Sequence, residues 1–147
     1  MVWRRGFSPA DTSAPAVRAL LVNARMSTAT HLALGEHGES LAVRALERAG
    51  YAVLARRYRT RLGEIDIIAR DGPCLVFVEV KARTHRRCGR PDEQVTLRKQ
   101  RKIVAVARLF LARTQVRADA CRFDVVSVSL DDDRPRVEII RNAFDGV

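Results

Sequence analysis

The chain has 147 residues and a net charge of +10, and only three of its 27 basic residues are lysines. This length favours a single domain with a substantial core. No run of eighteen apolar residues occurs, so the sequence predicts no membrane-spanning helix. The excess of arginine favours a polyanionic partner such as nucleic acid, although a genome rich in arginine codons would give the same composition.

The first 30 residues differ in composition from the rest of the chain. They are rich in Arg, Ser, Thr and Ala, and their apolar stretch at residues 19–22 is too short for a secretory signal. We expect residues 1–30 to be a disordered extension, with a short helix at 17–23 as one option, or to reflect an upstream start codon, with Met26 as the true start. Residues 31–147 are then expected to form one domain.

The three cysteines, Cys74, Cys88 and Cys121, are widely spaced and form no C-x-x-C motif. The spacing indicates neither a zinc site nor a disulfide framework. An odd number of thiols is typical of a reducing compartment, which favours the cytoplasm.

Apolar residues at helical spacing predict a first helix over residues 34–49, which ends at Gly50. A first strand is predicted at 51–58. Two further strands, at 62–69 and 75–83, are separated by a strong turn signal at Asp71-Gly72-Pro73.

Charged residues interrupt this predicted hairpin at regular positions. If the turn is centred near Gly72, Asp66 lies opposite Glu79 and Glu64 lies opposite Lys81, because paired residues share a face of the sheet. One face then carries three carboxylates and one ammonium group. The other face carries the apolar residues Ile65, Ile67, Ala69, Val76, Val78 and Val80.

Two directly opposed carboxylates repel each other unless a cation lies between them. We therefore predict that Asp66 and Glu79 hold a Mg²⁺ or Mn²⁺ ion, a hard cation that prefers carboxylate oxygens. Lys81 is expected to orient water or to stabilise charge on a phosphate, with Glu64 as its partner. The alternative is a solvated sheet face with a Glu64–Lys81 ion pair and no metal.

The remaining pattern predicts a helix over 92–113, a strand at 122–128, a polar turn at 131–133 and an edge strand at 136–140. Asp124 is expected to pair with an arginine and to have no catalytic role. The order helix, three strands, helix, two strands predicts an α/β fold with a central mixed sheet flanked by helices.

Three basic blocks surround the predicted acidic site, and they are candidate contacts for phosphates. Each block alone is also explained as an ordinary solvated charge run. The candidate nucleic-acid-binding residues are Arg57, Arg59, Arg61, Arg83, Arg86, Arg87, Arg98, Lys99 and Lys102.

Several motifs, taken in order, resemble those of the YraN-like family over about residues 32–143. They are Gly38-Glu39-x-x-Ala42, Gly50-Tyr51, Gly63-Glu64-Ile65-Asp66, Phe77-Val78-Glu79-Val80-Lys81-x-Arg83 and Arg122-Phe123-Asp124-Val125-Val126. The hairpin motif also resembles the catalytic core of the PD-(D/E)xK nuclease superfamily, which has a restriction-endonuclease-like fold.

The resemblance implies a nuclease-like fold and nucleic-acid binding, and it implies that Glu39 joins Asp66 and Glu79 at the metal. The other interpretation of Glu39 is a carboxylate placed to interact with a helix N-terminus. The expected function is a Mg²⁺-dependent endonuclease acting on DNA, with branched or junction DNA as a candidate substrate and a homodimer as the form suited to a junction. The alternatives are a non-catalytic nucleic-acid-binding protein with the same fold, or a protein-interaction partner in DNA processing.

Overall fold

A computed structural model describes residues 3–4, 31–83, 95–130 and 134–146. In these ranges the chain forms two helices, α1 (His31–Arg48) and α2 (Leu97–Thr114). It also forms the strands β1 (Trp3–Arg4), β2 (Ala52–Thr60), β3 (Gly63–Asp71), β4 (Cys74–Arg83), β5 (Ala120–Ser129) and β6 (Arg136–Phe144). The predicted short helix at 17–23, the turn at 131–133 and the residues Arg86, Arg87 and Cys88 lie outside the described residues.

The strands form one mixed sheet in the order β1-β5-β4-β3-β2, with β6 also pairing with β5. Neighbouring strands are antiparallel except β4 and β5, which are parallel and are joined by a connection that contains α2. Parallel neighbours require such a crossover, whereas two-residue turns suffice for the β2–β3 and β3–β4 hairpins. This arrangement confirms the predicted α/β, restriction-endonuclease-like architecture.

The two helices cover opposite faces of the sheet. On one face, Ala42 and Leu46 of α1 pack against Ile67, Val76 and other aliphatic residues of the sheet. On the other face, Phe110 of α2 packs with Phe77 and Phe123 of the sheet. We call the group of buried residues around α1 the α1 cluster and the group around α2 the α2 cluster. The Phe110 ring stands edge-on to Phe77, with 6.0 Å between ring centroids, which is a favoured aromatic geometry. The β3–β4 hairpin therefore lies between two layers of helix.

The second helix begins later than its apolar pattern predicts. It starts at Leu97 rather than at residue 92, because Thr96 is its N-cap and accepts a hydrogen bond from the Lys99 amide at 3.3 Å. Val95, which lies within the predicted helix at 92–113, is buried but precedes the helix. At the other end of the chain, Trp3–Arg4 pairs with β5, within the region expected to be disordered.

The alternation of side chains is interrupted in β2 and β3 at the same level. Tyr58 pairs with Ile65 and Arg56 with Ile67, so Arg57 and Asp66 lie between these two pairs. Arg57 has a φ of 49°, a left-handed conformation that is uncommon outside glycine. Ile65 consequently packs in the α2 cluster while Ile67 packs in the α1 cluster. The prediction that Ile65 and Ile67 share one face is wrong for this reason.

No helix among the described residues is both long and apolar enough to cross a membrane.

Candidate metal centre on the central hairpin

The hairpin has the predicted register. Ile67 pairs with Val78 and Asp71 with Cys74, and Gly72 takes a left-handed φ of 56° in the turn. If the pairing is continued by one position beyond Ile67–Val78, Asp66 lies directly opposite Glu79. The regular ladder of pairs ends at Ile67–Val78. Beyond it, the Val80 amide donates a hydrogen bond of 2.8 Å to Asp66 Oδ2, which fixes the direction of this carboxylate.

Asp66 lies in an environment that disfavours its charged form. Burial, followed by the negative charge of Glu79, raises the pKa of Asp66 from 3.8 to about 8. The Val80 amide and the Lys99 ammonium act in the opposite direction and do not cancel the rise. Asp66 and Glu79 are therefore close enough to interact as like charges, as predicted from their spacing.

The Glu79 side chain is only 12% exposed, and its two oxygens differ in their surroundings. Oε1 lies 3.2 Å from Lys99 Nζ. Oε2 is buried and receives no hydrogen bond from a described residue while Asp66 is ionised; a protonated Asp66 can share a hydrogen bond with Glu79. Burial of an unsatisfied carboxylate oxygen is costly, so this atom is placed to accept a ligand.

Lys81 follows Glu79 by two positions on β4, so both side chains belong to the same face of the strand. It is partly buried, and its backbone pairs with Ser127 of β5. Glu64, predicted as the partner of Lys81, forms an ion pair with Arg59, which is directly opposite it on β2. The structure thus pairs Glu64 with a residue of β2, whereas the predicted partner, Lys81, lies on β4, on the other side of β3.

Glu39 lies in the middle of α1, away from the helix N-terminus, and is buried. Its carboxylate accepts hydrogen bonds from Arg56 Nε at 3.1 Å and from Arg57 Nε at 2.7 Å. Arg57 Nη1 also lies 3.0 Å from Glu36 Oε1. Two guanidinium groups therefore neutralise Glu39, which explains how a carboxylate is buried at this position.

The structure does not bring Glu39 together with Asp66 and Glu79. Within the described ranges, no group of three or more His, Cys, Asp or Glu side chains is arranged to hold a metal ion. The physical reason is the layering of the fold, because α1 packs on the sheet face opposite to α2, whose Lys99 contacts Glu79. The carboxylates that the hairpin itself supplies are Asp66 and Glu79.

The predicted phosphate-binding residues have different environments. Arg61, Arg98 and Lys102 are exposed, and Arg83 is partly buried at the end of β4. Three others are engaged by acids of the protein: Arg57 by Glu36 and Glu39, Arg59 by Glu64, and Lys99 by Glu79. Arg86 and Arg87 lie outside the described residues.

A second charged network lies around Asp124, which is fully buried at 0% exposure. Asp124 Oδ1 accepts hydrogen bonds from Arg122 Nε at 2.8 Å and from the Asn142 amide at 2.9 Å. The Tyr51 hydroxyl donates to Asp124 Oδ2 at 2.9 Å. Burial and the Asp124 charge raise the pKa of Tyr51. The predicted pairing of Asp124 with an arginine is confirmed.

This network extends from β5 to two other strands, β3 and β6. Arg122 Nη2 contacts Asp71 Oδ2 at 2.8 Å, and Arg141 Nε donates to the Tyr51 hydroxyl at 3.0 Å. The network thereby ties the end of β3 to β5 and β6. Every polar group named in it has a partner, which indicates a structural role. The sequence contained a signal for it, since Tyr and Arg-x-Asp occur in otherwise apolar surroundings.

Asp66 and Glu79 fit a divalent cation on the chemistry of their donors. Mg²⁺ is commonly bound by one or two carboxylates together with waters and substrate phosphates, so a third protein carboxylate is not required. No residue in the described ranges donates to Glu79 Oε2, and the pKa of Asp66 is raised; both observations indicate a shortage of positive charge at this point. Lys99 contributes one ammonium group, but its ion pair engages only one of the four carboxylate oxygens.

The fold and the site together define a class: an α/β protein whose central hairpin presents a closely spaced carboxylate pair and a lysine. Comparison of the sequence with known families gives a more specific result. The chain belongs to UPF0102, described as an uncharacterised protein family, whose sequence profile matches residues 38–128.

The alignments with individual relatives extend over nearly the whole length of each relative. A UPF0102 protein of Symbiobacterium thermophilum is 51% identical over 112 residues, which is 76% of this chain and 95% of the relative. A UPF0102 protein of Geobacter metallireducens is 52% identical over 113 residues, covering 76% of this chain and 92% of the relative. One of Rhodococcus opacus is 44% identical over 117 residues, covering 79% of this chain and 99% of the relative.

Proposed function

We propose that this protein is a Mg²⁺-dependent endonuclease that hydrolyses phosphodiester bonds in DNA, with branched or junction DNA as its candidate substrate. The observation that carries the proposal is the Asp66–Glu79 pair. Two carboxylates held together are costly to fold when one has its pKa raised to about 8 and the other has a buried oxygen to which none of the described residues donates. A purely structural hairpin gains nothing from this arrangement.

In the proposed reaction Asp66 and Glu79 hold the divalent cation, and Glu39 is not a ligand. A bound cation supplies a Lewis acid for the phosphate and lowers the pKa of an attacking water. The Val80 amide keeps Asp66 Oδ2 in a fixed direction, so the carboxylate is oriented before any ligand arrives. Lys81 contributes an ammonium group on the same strand face, where it orients water or stabilises charge on the phosphate.

The nucleic-acid contacts in this proposal are the exposed cations near the ends of the β2–β3 hairpin and of α2. Arg61 lies in the β2–β3 turn, close to Gly63, where an added Cβ would lie 3.7 Å from Lys102 Cβ. These residues belong to the α2 side of the sheet, where Lys99 meets Glu79. Exposed cations at this position suit binding to the phosphate backbone without sequence preference.

We place this activity in the cytoplasm, because the sequence has an odd number of cysteines and no C-x-x-C motif, as is usual in a reducing compartment. Cleavage of a four-way junction needs two symmetric cuts, so we propose that the protein acts on such a substrate as a homodimer. Measurement of its mass in solution, alone and with junction DNA, tests this part of the proposal separately from the chemistry.

The deciding experiment is a cleavage assay on labelled duplex, single-stranded, flap and four-way-junction DNA with Mg²⁺, Mn²⁺ or EDTA. Asp66→Ala and Lys81→Ala should abolish cutting by removing a metal ligand and the adjacent ammonium group. Glu47→Gln removes an exposed carboxylate of α1, which packs on the sheet face opposite to α2, and should cut like the wild type.

Metal-dependent cutting that is lost in both hairpin variants and retained in the control would support the proposal. If folded wild-type protein binds these DNAs in a salt-dependent way but cuts none of them with either metal, the protein is a non-catalytic binder. If it neither binds nor cuts, an interaction with another protein becomes the better explanation.

A further inference from the structure

Lys99 occupies a position that its sequence context does not predict. It belongs to a basic block at the start of α2, and its neighbours Arg98, Arg101 and Lys102 are exposed. Lys99 instead directs its ammonium group to the buried pair on the hairpin, with Nζ 3.2 Å from Glu79 Oε1. Its charge also lowers the pKa of Asp66, so it acts on both carboxylates.

The anchoring of α2 fixes Lys99 at this point. Thr96 caps the helix by accepting a hydrogen bond from the Lys99 amide, and Gln100 donates one of 2.7 Å to the Val95 carbonyl. Ile103 and Val106 then hold the next turns in the core. The backbone of Lys99 is therefore well positioned, while its side chain remains 41% exposed and retains a route to solvent.

We propose that Lys99 is the resident counterion of the Asp66–Glu79 pair and competes with the divalent cation for Glu79. This inference rests on the proposed metal site. An ammonium group is a compact cation that partly neutralises opposed carboxylates, but it satisfies only Glu79 Oε1 and leaves Oε2 without a partner among the described residues. A divalent ion supplies more charge, and its binding displaces the Lys99 ammonium toward solvent.

The consequence is a threshold for metal loading. The Lys99 ammonium on Glu79 Oε1 repels a divalent ion that binds through Oε2, so the contact lowers the apparent metal affinity until the ammonium moves away. An ion pair of this partly exposed kind corresponds to a change of up to about fivefold in affinity. Lys99 is thus a positioning residue for the ligand Glu79, and in the metal-free protein it is not one of the available phosphate contacts.

The first test measures Mn²⁺ binding to the full-length protein by calorimetry in the absence of nucleic acid. Lys99→Ala should bind Mn²⁺ up to about fivefold more tightly than the wild type. Arg101→Ala is the matched control, because it removes an exposed positive charge from the same helix and leaves the Glu79 contact intact. Lys99→Arg, which restores a cation, should return the affinity toward the wild-type value.

The second test observes the side chain itself. The chain contains only three lysines, so protein labelled with ¹³C-lysine gives three sets of ε-methylene signals, assigned from the corresponding Lys→Arg variants. Addition of Mg²⁺ should shift the Lys99 signal at the same concentrations that saturate the metal site. The signal of the exposed Lys102 should stay in place.

The outcomes separate the inference from the proposal on which it rests. Equal affinities for Lys99→Ala and Arg101→Ala, together with a Lys99 signal unchanged on metal saturation, would overturn the counterion role and leave the metal site intact. If neither the wild type nor Lys99→Ala binds Mn²⁺ at millimolar concentration without nucleic acid, the counterion inference is wrong, and the cleavage assay with Mg²⁺, Mn²⁺ or EDTA decides the metal-dependent function separately.

Discussion

Replacement of Asp66 by asparagine should stabilise the protein in the absence of divalent metal. The substitution removes one of two opposed carboxylates while keeping nearly the same shape. The amide oxygen of the new side chain can still accept the hydrogen bond of the Val80 amide, which in the wild type is 2.8 Å long. The change therefore removes charge repulsion and preserves the local geometry.

The size of the effect follows from proton linkage. The pKa of Asp66 is about 8 in the folded protein, against 3.8 for an unperturbed aspartate. Between these values the folded state holds a proton that the unfolded state has lost, so the stability of the wild type falls as pH rises from about 4 to about 8. Each pKa unit corresponds to about 1.4 kcal/mol, which sets an upper limit near 6 kcal/mol.

The asparagine amide must itself lose hydration when it is buried, which offsets part of this gain. We expect Asp66→Asn to increase the free energy of unfolding by about 2–3 kcal/mol at pH 8 and by close to zero at pH 5. Urea denaturation in EDTA at both pH values measures the difference. Glu47→Gln serves as the control for removing a carboxylate, because Glu47 is exposed on α1, on the opposite side of the sheet.

A gain of equal size at pH 5 and pH 8 would refute this reasoning, because the effect would then not come from the ionisation of Asp66. A loss of stability at pH 8 would do so as well. In either case the hairpin would tolerate both charges without cost, and the main argument for a metal site would fail.

Three further predictions concern other parts of the fold. Asp124→Ala should lower the free energy of unfolding by about 3–5 kcal/mol in urea, because it removes the shared acceptor of Arg122 Nε, the Asn142 amide and the Tyr51 hydroxyl; a loss below about 1 kcal/mol would contradict the buried network. Gly38→Ala should lower the melting temperature, because the added Cβ would lie 2.7 Å from the Ala82 Cβ on β4. Gly35→Ala should raise the melting temperature, because its Cβ would meet no atom within 4 Å and alanine favours a helix. The reverse order of melting temperatures would disprove the close contact at Gly38. Arg61→Ala should reduce the slope of log DNA affinity against log salt concentration by about one. Arg57→Ala should lower stability with little change in that slope, because Arg57 is already paired with Glu36 and Glu39. Equal slopes for the two variants would show that this pairing does not keep Arg57 from binding DNA.

The hairpin at the centre of the site could be predicted from sequence because its determinants are local. The Asp-Gly-Pro turn and the period-two pattern of branched residues fix the register, and the register alone sets Asp66 against Glu79. The alternation fails at Ile65. A left-handed residue such as Arg57 in a strand gives no signal in an apolar–polar pattern, because any residue type can stand there at some cost.

The partners of the charged residues could not be predicted in the same way. Lys99 and Glu79 are 20 positions apart, and their contact depends on where the crossover helix settles on the sheet. The sequence motifs place Glu39 at the metal, but its partners Arg56 and Arg57 are on β2 and reach it only through the packing of α1. The start of α2 could have been predicted from Thr96, because threonine is a favoured N-cap residue. The apolar pattern continues before Thr96 and therefore predicts an earlier start.

The connectivity of the sheet has a consequence for the order of folding. Strands β2, β3 and β4 are linked by two-residue turns, while β5 reaches β4 only after the long connection that contains α2. Short hairpins close within microseconds, and pairing across a long connection is slower because it must overcome a larger loss of chain entropy. Asp66 and Glu79 should thus come together in a partly folded β2–β3–β4 meander before α2 packs on the sheet and Lys99 reaches Glu79. Folding of this protein should accordingly pass through a stage in which protons or free cations in the medium assist the meander, and acid or added divalent salt should speed its early phase.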